Sequence, residues 1–134
     1  MESLTDQLLP VSREVLKNVK IKEARSGQQG IWHKSSIIDI YEQYVTTFPI
    51  TVDQAGLRTA IAIYSSEDGR KLILELLFDI LKKVDLMDKD DCDSMIDTIL
   101  DDKDGDITAH YEEFLIQSAI ALKRAIRTFP LTKS

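Results

Sequence analysis

The sequence predicts an all-α protein, an irregular bundle of five or six helices, and three observations carry that prediction. Apolar residues recur at steps of three and four along most of the 134 residues, the spacing that lines one face of a helix. No run alternates strictly between apolar and polar residues, so a half-buried strand finds no support. Glycine and proline fall mainly between the periodic stretches, where they act as stops. With 43% hydrophobic and 30% charged residues, a chain of this length has enough apolar surface for one core and too little for two.

The expected organisation is an N-terminal helical arm and flexible loop, residues 1–30, ahead of a single helical domain, 31–134. Pro10 and Ser12 mark a start, and Val15, Leu16 and Val19 follow at helical spacing, giving a first helix near 12–22. The run Arg25 to Gly30 has two glycines and no apolar side chain, so it reads as the loop. Ser35 or Ser36 can cap a second helix, 36–47, which Pro49 is expected to stop. Thr51 and Gln54 suggest a capping box for a third, 52–64. From Leu72 to Val84 the chain is apolar almost all round the helix, so a fourth, near 67–86, must lie at the centre. Met95, Ile96, Ile99 and Leu100 write a fifth, 91–100. The sixth carries Tyr111, Phe114, Leu115, Ser118, Leu122, Ala125, Ile126 and Phe129 and ends before Pro130.

Charge narrows the function. The net charge is −6, and residues 85–113 hold twelve acids against two bases while residues 114–134 hold four bases and no acid. An acidic chain without basic stretches interleaved with aromatics is not expected to bind nucleic acid. No stretch approaches the roughly 18 apolar residues of a membrane span, and the four-residue apolar run Leu8 to Val11 is too short for the core of a secretory signal. Cys92 is the one cysteine, which excludes an intrachain disulfide and suits an intracellular, cytoplasmic location. Two histidines and one cysteine give no recognisable triad spacing, and the five glycines, at 27, 30, 56, 69 and 105, form no phosphate loop. The expectation is a protein that is not an enzyme.

The acidic block contains one patterned segment. Counting from Asp102, the acids Asp104, Asp106 and Glu113 fall at positions 3, 5 and 12, with Thr108 at 7 and His110 at 9. Those are the positions from which a twelve-residue helix-loop-helix site supplies oxygens to calcium. The segment resembles an EF-hand, and residues 95–120 look like the C-terminal half of the small dimeric two-EF-hand calcium sensors. The resemblance implies a calcium site on Asp102, Asp104, Asp106, Thr108 and Glu113. Position 6, which takes the positive φ of glycine, is Ile107, and strain there is on the order of 1 to 3 kcal/mol. The same letters also serve without metal, Asp104 and Gly105 as a turn and Asp106 as a helix cap.

Two functions stand at this point. The first is a non-enzymatic helical protein-interaction module, without a cofactor, that works by occupying a partner protein's surface. The second is a divergent EF-hand-like regulator responding to calcium. A homodimer is expected in either case, because covering every side of the fourth helix calls for a second subunit in so small a chain. Trp32, beside Ile31, is expected to plug the bundle, with a partner anchor as the alternative.

Overall fold

The computed structural model describes residues 2–134. Among the described residues six helices enclose one core, and three very short strands close one end. The elements in chain order are α1 (Leu4–Ser26), β1 (Trp32–His33), β2 (Ser36–Ile38), α2 (Asp39–Ala55), α3 (Leu57–Ser65), α4 (Asp68–Lys83), α5 (Cys92–Leu100), α6 (Asp106–Ile126) and β3 (Leu131–Thr132). The all-α class is as the periodicity predicts.

Helix α1 starts eight residues earlier than Pro10 and Ser12 suggest. Its cap is Ser3, whose hydroxyl accepts the Asp6 N–H at 3.1 Å. Pro10 lies inside the helix, where Leu8, Val15 and Leu16 are buried along α6 and α4. That packing offsets the hydrogen bond that proline removes. Gly27, at φ 71°, ends the helix in the left-handed conformation, its N–H returning to the Glu23 carbonyl at 3.0 Å.

The sheet is a departure from the sequence expectation. β1 and β2 form a hairpin, Trp32 opposite Ile37, with Lys34 at φ 56° in the turn, and β3 joins β2 in parallel with Ile37 beside Leu131. Each ladder is two residues long, too short for alternation to register in the sequence. Residues 36–38 are therefore strand, and α2 begins only at Asp39, without a side-chain cap. The sheet ties the chain's last residues to its first loop. Trp32 plugs this end, 6% exposed, with its indole N–H donating to the Leu16 carbonyl at 2.9 Å and its ring edge-on to Phe129 at 5.2 Å.

Pro49 does not stop α2. The helix runs through it to Ala55 on a buried stripe of Tyr41, Val45, Phe48 and Val52. The break falls at Gly56, at φ 89° and ψ 158°, a conformation essentially closed to other residues. Helix α3 therefore starts at Leu57, not 52. Helix α4 occupies the centre, burying Ile73, Leu74, Leu76, Leu77, Phe78, Ile80 and Leu81. Its cover comes from α1, α2, α3, α5 and α6 of the same chain.

Candidate interaction surfaces

The acidic segment folds as a tight turn followed at once by a helix. The positive φ falls on Gly105, at 79°, and Ile107 is the second residue of α6 with no such strain. Residues 106–113, which an EF-hand would keep in its loop through position 12, are helical from the first. Asp106 and Glu113 are then separated by about 10 Å along the axis, at about 1.5 Å per residue. A cation held at 2.3–2.6 Å cannot gather both with Asp102 and Asp104 from such a backbone. Among the described residues no group of three or more His, Cys, Asp or Glu stands where it would hold a metal ion.

Each predicted ligand has another occupation or none. Asp102, 7% exposed, accepts the Thr108 N–H at 2.7 Å and so caps α6 from three residues ahead of Gly105. That hydrogen bond holds its carboxyl below the usual range. Asp104 and Asp106 are exposed, the latter in the first turn of α6, where it favours the positive end of the helix dipole. The Thr108 hydroxyl is buried without a partner. Glu113 accepts the Gln117 side-chain N–H at 2.7 Å, and Gln117 in turn receives the Thr5 hydroxyl. His110 lies edge-on to Tyr111 and Phe114, 5.1 and 6.0 Å between ring centres.

The capping role has a pH signature. A carboxyl held below its unfolded pKa of about 3.9 adds stability above that pH, and the contribution is lost as pH falls through the lower folded value. Asp102→Asn keeps the accepting oxygen but no longer titrates. Urea denaturation should show the native chain losing more stability than this variant between pH 5 and pH 2, and equal losses would remove Asp102 from the acid response.

Two polar contacts escaped the sequence reading. Glu23 near the end of α1 reaches over the loop, and its two carboxylate oxygens accept the N–H groups of Ile31 and Trp32, both at 2.9 Å. Gly30 must be glycine for this, because a Cβ there would lie 2.4 Å from Glu23 Oε2. Tyr111, buried on α6, donates its hydroxyl to Asp88. Burial and then that carboxylate push the phenol up to about 12, while the same hydrogen bond holds Asp88 low. The Cys92 thiol is also pushed up to about 12, by burial foremost and by Glu75 and Asp93. Its thiol is protonated at neutral pH and a poor nucleophile.

Several clefts open on the surface, two of them between long helices. One, about 420 Å³, lies between α1 and α4 with Val15 and Val19 beside Lys22, Lys82, Lys83 and Asp79. Burial pushes the Asp79 carboxyl up against the opposing pull of Lys22 and Lys83. Lys82 and Lys83 are already engaged, with the Lys89 carbonyl at 2.7 Å and Glu14 at 3.5 Å. The other cleft, about 390 Å³, lies between α2 and α6 and is lined by Val45, Pro49, Ile50, Ala119 and Ile120, with Lys123, Arg124 and Arg127 along one side.

A family model described as "CRISPR-associated protein (Cas_Cmr5)" matches residues 12–129, which takes in all but the first turns of α1 and everything on to Phe129. The chain belongs to this family. No curated protein and no solved structure matches it. Membership in the Cmr5 family corrects the EF-hand resemblance of residues 95–120, and the helical course of residues 106–113 supplies the physical reason. It also overturns both functional expectations, the free-standing module that occupies a partner's surface and the calcium-responsive regulator. No helix among the described residues is long and apolar enough to cross a membrane.

Proposed function

We propose that this chain is a non-catalytic subunit of a Cmr effector complex, bound through its helical surfaces to the other protein subunits. The observation that carries the reading is the family match across 118 of the 134 residues, from residue 12 to residue 129. A CRISPR effector acts on nucleic acid, so the reading puts the chain inside the cell. Its net charge of −6 favours protein surfaces over phosphate backbones as its direct contacts.

The non-catalytic part of the reading is supported by what the reactive side chains do. Cys92 is half-buried with a thiol pushed up to about 12. Tyr111 and Asp88 satisfy each other, and His110 packs against two rings of its own helix. The Tyr111–Asp88 bond ties α6 to the 84–91 segment.

Reconstitution tests the proposal. The chain, mixed with the remaining subunits of the Cmr complex of its own source, should co-elute with them in a fixed ratio by size exclusion and native mass measurement. A chain that elutes alone while the other subunits assemble would overturn the reading.

A further inference from the structure

The cleft between α2 and α6 combines three properties. Its floor is aliphatic, from Val45, Pro49, Ile50, Ala119 and Ile120. Ile50 is 51% exposed although it stands mid-helix beside the buried Phe48 and Val52. Its edge is cationic, drawn from the 114–134 segment that has four bases and no acid.

Two of those bases, Lys123 and Arg124, are weakly matched within the chain. Lys123 has no ion pair among the described residues, Arg124 reaches Asp6 only at 3.7 Å, and Arg127 meets Glu42 at 3.1 Å. Arg127 gives two hydrogen bonds to a half-buried Glu42 and is already engaged, whereas the Arg124 pair is exposed on both sides, and such pairs contribute little. An incoming carboxylate would therefore displace little. The α1–α4 cleft differs, because two of its three lysines are held by Glu14 and a backbone carbonyl and it contains its own carboxylate, Asp79.

We propose that the α2–α6 cleft docks an acidic amphipathic helix of a neighbouring protein subunit, its apolar side chains on Ile50, Pro49 and Ile120 and its carboxylates against Lys123 and Arg124. The proposal rests on the subunit reading above. A helix laid in a groove uses apolar anchors at steps of three and four with charges to one side, and the cleft presents the complement. A protein occupant is favoured over RNA because no aromatic ring lines the cleft to stack a base, and its floor is aliphatic.

The test uses the reconstituted complex with Ile50→Asp and Lys123→Glu, and with Ile63→Asp as control, since Ile63 is 44% exposed on α3 away from the cleft. Circular dichroism and melting confirm that each variant folds. Both cleft variants should enter the complex with at least about tenfold weaker affinity, as for truncation of an interface anchor, and the control should enter like the native chain. A photoactivatable residue in place of Ile50 should link to a segment of another subunit that contains Asp or Glu. Cleft variants that enter as well as the native chain overturn the docking proposal and leave the subunit reading standing, whereas a native chain that stays out removes both. A link to RNA, to a second copy of this chain or to a segment without acids overturns the proposed occupant.

Discussion

Glu23→Ala should destabilise the protein by about 2 to 6 kcal/mol, because two part-buried N–H groups lose their acceptor and each such loss costs about 1 to 3 kcal/mol. The groups are those of Ile31 and Trp32, which the Glu23 carboxylate holds at 2.9 Å each. Their position magnifies the effect. Ile31 and Trp32 are both buried, and they deliver the chain from the end of α1 into β1. Glu23→Gln, with one accepting oxygen, should lose less than alanine. Gly30→Ala should move in the same direction as Glu23→Ala, since the new Cβ would lie 2.4 Å from Oε2 and drive the carboxylate off its partners. Urea denaturation measures all three, and an alanine variant within about 0.5 kcal/mol of the native chain, the scatter of ordinary surface substitutions, would show that the clamp contributes nothing.

This clamp also shows what the sequence conceals. Glu23 and Ile31 are eight residues apart with a glycine-containing loop between them, and no periodicity links a carboxylate to N–H groups across a turn. The helices were legible where their cause is periodic. Leu72 to Val84 announced a central helix, and α4 is central. Met95, Ile96, Ile99 and Leu100 placed α5 to within a residue of Cys92–Leu100. Boundaries set by single residues were not. Pro10 suggests a start and Pro49 a stop, yet both lie inside helices whose buried stripes outweigh them, while the backbone at Gly56 leaves no alternative to a break.

The candidate site failed for a related reason. Spacing alone cannot say whether Asp106 to Glu113 is loop or helix, and the ligand pattern of positions 1, 3, 5 and 12 needs a loop. The deciding letters were Gly105 and Ile107. A glycine two places early moves the left-handed turn to Gly105, after which Asp106 and Ile107 enter α6 directly. The basic edge of the α2–α6 cleft was visible as four uncompensated bases in the last 21 residues. Its apolar floor was hidden, because Ile50 followed a proline expected to end the helix that in fact carries it.

Phe48→Ala should cost about 3 to 5 kcal/mol, the usual range for emptying a buried phenylalanine site. Phe48 is fully buried and stands edge-on to Tyr64, 5.1 Å between ring centres, and the Tyr64 hydroxyl donates to the Tyr44 carbonyl at 2.6 Å. The ring therefore joins α2 to α3 directly and steadies a hydrogen bond that joins them again. It also precedes Pro49, which denies the Val45 carbonyl its helical N–H. Packing of Val45, Phe48 and Val52 is what keeps α2 continuous across that gap. Removing the ring should thus act unevenly. Hydrogen exchange at residues 50–55 should accelerate more than in the core of α6, as the C-terminal part of α2 loosens first. Phe48→Leu, which fills most of the volume, should lose well under half as much. A uniform acceleration across all helices would mean that Phe48 stabilises only the global fold, and that α2 crosses Pro49 without its help.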